Sequence, residues 1–172
     1  AMLALTLPDV EHDWLQSFAD SFSKTLIDFN MQLVGGDTTQ GPLAITVQVT
    51  GFVDSSHAMR RDSAKPGDLI YVTGTLGDAA LGLKLSSSNV ALDQKLLELC
   101  LNKLNRPVPR IKFALAAAKY CSCAIDVSDG LVADLGHILS ASQCGAEIQL
   151  DKVPVSKALH KYYIERVDGK KE

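Results

Sequence analysis

The sequence predicts an α/β (α+β) fold built in two parts. Two patterns say so: short apolar runs of strand length alternate with segments whose apolar residues recur at helical spacing, and a polar stretch ending in Pro66-Gly67 interrupts that alternation. The chain's 172 residues are 47% hydrophobic, enough for one ordinary core or two small ones. The expected division is residues 1–58, a linker over 59–68, and a second part over 69–172.

In the first part, "LALTL" is a strand stopped by Pro8 and Asp9. Between Trp14 and Phe29, residues Leu15, Ala19, Phe22 and Leu26 fall on one helical face. "MQLVGGDTTQGPLAITVQVTGFV" is expected to read strand, Gly-rich break, strand. In its second strand Ile45, Val47, Val49 and Val53 alternate with Thr46, Gln48 and Thr50, the period-two pattern of a strand with one buried face.

In the second part, "LIYVTG" reads as a fully buried strand, after which Gly77 and Asp78 open a helix. A helix over Asp93 to Lys103 ends before "RPVPR", whose prolines cannot continue it. Further helices are expected over Ile111 to Tyr120, over 130–143 with Leu131, Leu135, Ile138 and Ser142 in helical spacing, and over 156–165. "CAIDV" and "AEIQL" are the remaining strands.

Charge narrows the function. With 20 acidic and 17 basic residues the formal net charge is -3, so neither nucleic acid nor an anionic membrane is an expected partner. Absence of an apolar run of roughly 18 residues or of a signal-peptide pattern makes a cytoplasmic setting the expectation. Cys100, Cys121, Cys123 and Cys144 lie in apolar segments without a C-x-x-C pair and are expected to be buried, reduced thiols.

The chemistry concentrates in two acidic motifs. In "VGGDTTQG" the glycines allow close backbone approach, and Asp37 follows where its carboxylate suits a hard cation, although the motif taken alone favours a turn in which Asp37 satisfies local backbone N–H groups. In "AIDVSDGLVADLG", Ser128 or Asp129 can cap the following helix, which leaves Asp126 without a reason to be charged. Mg²⁺ would supply one, since it takes one or two carboxylates, waters and nucleotide phosphates; no EF-hand Ca²⁺ loop is present. Arg60 and Arg61 in the linker are either phosphate ligands or a solvated basic pair. "TGTLGDAALG" lacks the G-K-[ST] ending of a P-loop and is read as structural. His137 and Asp134 are expected to form a surface pair, and no Ser, Cys and His grouping supports nucleophilic catalysis.

"LVGGDTTQGPLAITVQVTGFV", "RDSAKPGDLIYVTGTLGDAALGL" and "AIDVSDGLVADLGHI", in this order, resemble the thiamine-monophosphate kinase family, within the aminoimidazole ribonucleotide synthetase superfamily. The pairing of "GGDTT" with "DVSDGL" favours that family over its relatives. The resemblance implies the end of an N-terminal ATP-binding domain followed by the first part of an α/β C-terminal domain. It implies ATP-dependent phosphorylation of thiamine monophosphate to thiamine diphosphate, with homodimerisation of the full-length protein. Because phosphoryl transfer needs mainly positioning and charge neutralisation, direct transfer without a covalent enzyme intermediate is expected. By residue, Asp37, Asp126 and Asp129 resemble Mg²⁺ ligands, Gly36, Asp37, Arg61 and Ser128 resemble ATP contacts, and Asp134 is left as a solvated helix residue. Substrate-binding residues near the thiamine are expected outside this chain, which resembles an internal, inactive piece with exposed sheet edges. Two alternatives are another ATP-using enzyme of the superfamily, of the aminoimidazole ribonucleotide synthetase or selenophosphate synthetase type, and a non-catalytic binding domain.

Overall fold

In a computed structural model, which describes residues 1–86 and 94–168, the chain forms two compact units, Ala1–Val53 and Asp54 onward. Both helices and strands are present, as the alternation of patterns requires.

The first unit is a three-stranded sheet with one long helix. Strand β1 (Met2–Leu7) lies in the middle, β2 (Gly35–Gln40) pairs parallel on one side and β3 (Ala44–Gln48) antiparallel on the other. Helix α1 (His12–Asp28) is the crossover that parallel pairing of β1 and β2 demands. It stops where Asn30 takes a left-handed conformation and the Met31 N–H donates back to the Leu26 carbonyl at 2.8 Å. The buried side chains of this unit are Leu5 and Leu7 on β1 and Leu26 on α1. Trp14, Phe18 and Phe22 stack along α1 with centroids 5.4 and 5.8 Å apart.

Two expectations for this unit need correction. The Gly-Gly pair is no break: residues 31–34 are irregular, and β2 begins at Gly35 itself. Gly36 pairs with Leu3 so closely that a Cβ there would overlap the Leu3 carbonyl oxygen, so the glycine is what admits this strand to the ladder. β3 ends at Gln48, so Val49 and Val53 lie beyond the expected strand, and Ile45 and Val47, which do alternate along it, are exposed. Alternation decides which residues share a face; whether the face is covered depends on what packs there.

The second unit is held by helices. Helices α2 (Asp78–Ser86), α3 (Gln94–Asn105) and α6 (Lys157–Asp168) share a core of Leu81, Leu85, Leu96, Cys100 and Tyr162. Helices α2 and α3 cross where a Cβ on Gly82 would lie 2.7 Å from the Cys100 carbonyl oxygen, so a larger residue would force the backbones apart. Buried Asp78 joins α2 to α6: Thr75 Oγ1 donates to its Oδ2 at 2.8 Å, Ser156 Oγ donates to its Oδ1, and the Leu159 N–H donates to Ser156 Oγ at 3.0 Å. The Gly-rich turn before α2 is thus tied into a helix junction. Helices α4 (Ile111–Ala117) and α5 (Leu131–Ser142) complete the unit, and the expected helix start at Asp93 lies outside the described residues.

The strands expected at "LIYVTG", "CAIDV" and "AEIQL" do not form among the described residues. Leu69 is 76% exposed, and only isolated bridges, Arg60 with Cys123 and Leu76 with Val155, replace a ladder. An apolar run becomes a strand only where another segment accepts its hydrogen bonds. The same correction reaches the cysteines. All four are free thiols, but only Cys100 is buried, because the segment around Cys121 and Cys123 is not a covered strand. Burial pushes the Cys100 thiol up, assisted by the nearby Asp78 carboxylate, which keeps it protonated.

Candidate functional site

The two acidic motifs lie in different units and are supported differently. In the first unit, Asp37 stands within β2 opposite Ala4, not at a strand end, and is exposed. Its Oδ1 accepts the N–H of the next residue, Thr38, at 2.9 Å. Gly36 beside it leaves the backbone bare, and across the same ladder the Thr6 and Thr39 hydroxyls meet at 2.9 Å.

In the second unit the segment 126–130 is a loop that leads into α5. Three consecutive backbone N–H groups, of Ser128, Asp129 and Gly130, donate to a single oxygen, Oδ2 of Asp134, at 2.9, 3.1 and 3.1 Å. Asp134 is only 4% exposed, so this carboxyl oxygen sits inside the protein, satisfied by three backbone N–H groups. Two expectations change here. Asp134 is no solvated residue and forms no surface pair with His137; it faces its own loop. Neither Ser128 nor Asp129 caps α5 either: Gly130 occupies that position, with a φ of 116° that favours glycine. With the loop's amides turned inward, Asp126, Ser128 and Asp129 are left exposed.

The two arginines divide their roles. Arg60 grips Asp62 through two bonds, Nε at 2.8 Å and an NH2 nitrogen at 2.6 Å. The Arg60 hydrogen bond holds the Asp62 carboxyl down at about 2. Arg61 instead points toward Asp126, 3.7 Å from Oδ1, with the side chains 60% and 80% exposed. An exposed contact of that length is loose enough to be exchanged for a ligand.

Among the described residues no three His, Cys, Asp or Glu side chains form a ready-made metal cage. The donor chemistry nonetheless fits one cation class. Asp126 and Asp129 offer hard carboxylate oxygens in solvent, which suits a Mg²⁺ ion that keeps waters and takes phosphate oxygens, and not a metal that needs an all-protein shell. What the loop can do chemically is hold exposed carboxylate oxygens beside a guanidinium.

Sequence reasoning missed Asp134 and Ser142 as supports. An acidic residue in the first turn of a helix that follows S-D-G was the available signal for Asp134. Ser142, whose hydroxyl donates to the Arg61 carbonyl and accepts the Ala64 N–H, both at 3.1 Å, had none, because those partners lie about eighty residues away.

Comparison with known proteins identifies the family. The family model described as AIR synthase related protein, C-terminal domain, matches residues 65–168, and its N-terminal counterpart matches residues 1–53. The chain belongs to the AIR synthase related protein family. Its Gly36-Asp37 motif falls in the N-terminal match, its 126–130 loop in the C-terminal match, and Arg61 between them. Within the family, the chain is similar to thiamine-monophosphate kinase of Escherichia coli, 49% identical over 161 residues, which are 93% of this chain and 50% of that protein. It is also similar to the crystal structure of thiamine-monophosphate kinase from Stenotrophomonas maltophilia, with a TM-score of 0.81 and 40% identity over 93% of this chain and 52% of the other. A structure of AaThiL complexed with AMPPCP and TMP matches with a TM-score of 0.77 and 28% identity, over 95% of this chain and 53% of that one. The chain spans about half the length of the curated relatives it matches.

Proposed function

We propose that the protein carrying this chain is a thiamine-monophosphate kinase, transferring the γ-phosphoryl group of ATP to the phosphate of thiamine monophosphate to give thiamine diphosphate and ADP. The observation that carries the proposal is the 126–130 loop, whose outward carboxylates stand beside Arg61 while its amides are tied inward. The relatives' name supports the acceptor, and AMPPCP, an ATP analogue, supports the donor.

In this reading Asp37, Asp126 and Asp129 are ligands of Mg²⁺, and Gly36, Asp37, Arg61 and Ser128 contact ATP. Mg²⁺, when bound, supplies neutralisation of phosphate charge. Arg61 leaves Asp126 and donates N–H groups to phosphate oxygens, Ser128 offers its hydroxyl to the nucleotide, and bare Gly36 lets the backbone approach it. An acceptor phosphate oxygen attacks the γ-phosphorus in line, and the bond to the β,γ-bridging oxygen breaks. No side chain is assigned a covalent role. Residues 1–58 serve as the end of an ATP-binding domain, 59–68 as a linker and 69–172 as the start of the second domain. We place the enzyme in the cytoplasm as a homodimer.

The test is to express the full reading frame and assay ATP, Mg²⁺ and thiamine monophosphate for thiamine diphosphate. Failure to form it, with turnover of a different acceptor, would move the protein to another activity of the same family. Labelled ATP that leaves a phosphoenzyme would overturn direct transfer. The 172-residue chain alone is expected to give no turnover.

A further inference from the structure

The direct contact between Arg61 and the acidic loop is too weak to hold the two together. It is exposed, 3.7 Å long and open to screening. Something else must set their spacing, and both sides of the contact are anchored on the same helix.

We propose that α5 is the spacer of this site, with Asp134 and Ser142 as its positioning residues. At the start of α5, Asp134 gathers the amides of Ser128, Asp129 and Gly130 on one buried oxygen. At its last residue, Ser142 brackets the turn that carries Arg61, donating to the Arg61 carbonyl and accepting from the Ala64 N–H. A bridge closes the frame on a third side: the Arg60 N–H donates to the Ser122 carbonyl at 2.8 Å and the Ala124 N–H to the Arg60 carbonyl at 3.3 Å. Asp134 and Ser142 are eight positions apart, which is about 12 Å along a helix axis. A continuous helix is stiff over that length, so the acidic loop and the arginine keep their separation while Arg61 changes partner. Neither residue touches the proposed ligands; each acts through backbone it holds.

This inference rests on the proposed function for its catalytic consequence but not for its structural one, and the experiment separates them. In the full-length protein, amide hydrogen exchange and steady-state kinetics are measured for Asp134→Asn, Ser142→Ala and Ser142→Thr, with Arg61→Ala and Asp126→Asn as controls. Asp134→Asn is expected to speed exchange at residues 128–130, and Ser142→Ala at Ala64, with the rest of the chain unchanged. With native melting retained, both are expected to lower kcat/KM for ATP by about 10- to 100-fold, the penalty of a misplaced group, mostly through KM. Ser142→Thr keeps the hydroxyl and is expected to restore both readouts. Unchanged local exchange, or altered exchange with unaltered ATP kinetics while Arg61→Ala and Asp126→Asn are impaired, would overturn the spacer. If those two controls retain full activity, the functional reading fails, and exchange at 128–130 and at Ala64 alone decides whether α5 holds the frame. Should Asp134→Asn not fold, the Ser142 pair still decides.

Discussion

Two glycine-and-aspartate motifs that look alike in the sequence are built differently. Asp37 sits in a strand and leans on its own neighbour, and nothing beyond Thr38 engages its carboxylate within the unit. The 126–130 loop is held by a buried carboxylate eight positions past Asp126, which takes three amides and frees the loop's own side chains. The lesson is that a carboxylate offered to solvent needs a backbone fixed by other means. In β2 the ladder supplies that, through bare Gly36; in the loop, Asp134 does.

The most damaging way to break the comparison is to remove the hidden support. Asp134→Ala leaves three amides without an acceptor and is expected to destabilise the second unit by about 3–5 kcal/mol, read by urea denaturation. The counterpart in the first unit is Gly36→Ala. Its methyl group would overlap the Leu3 carbonyl, so β2 must shift, with an expected loss of about 2–3 kcal/mol and faster amide exchange along the β1–β2 ladder. An exposed carboxylate behaves otherwise: Asp37→Asn is expected to change stability by less than about 0.5 kcal/mol while weakening Mg²⁺-ATP binding in the full-length protein, by titration calorimetry. A destabilisation as large as that of Asp134→Ala would show that Asp37 is structural and erase the contrast.

The smallest effect is electrostatic. Asp62 titrates at about 2 in the folded chain, below its ordinary 3.8, because Arg60 donates to it. A depressed carboxyl contributes above its unfolded pKa and loses that contribution as pH falls through the folded value. The Arg60–Asp62 contact is therefore expected to persist at neutral pH and through the ordinary carboxyl range, and to dissolve with a midpoint at about pH 2, followed by carboxyl NMR shifts. A midpoint near the ordinary value would show that Arg60 is no more engaged than Arg61.

Much of the helical framework was legible in the sequence. Apolar spacing marked α1 and α5, and the prolines of "RPVPR" marked the end of α3. Strands were legible only where their partners are local. The ladder of β1, β2 and β3 closes within the first 48 residues, whereas "LIYVTG" and "AEIQL" are apolar without a described neighbour to pair with. Gly36 was misread because a glycine pair signals a turn unless one knows that another backbone passes against it. At the site, residue types announced the outward groups Asp126, Ser128 and Asp129. The supports were silent, since Ser142 is an ordinary helix-end serine until the chain folds back onto Arg61.

The clasp between Asp78 and Ser156 has a consequence for the order of assembly. Its members are 78 positions apart, so at ordinary translation speeds of about 5–20 residues per second α2 leaves the ribosome roughly 4–16 seconds before α6 does. During that interval α2 and α3 can already cross at Gly82, a contact between near neighbours in the chain. The carboxylate that will be sealed beneath α6 must meanwhile stay wet, and the nascent unit waits half-closed for its last helix.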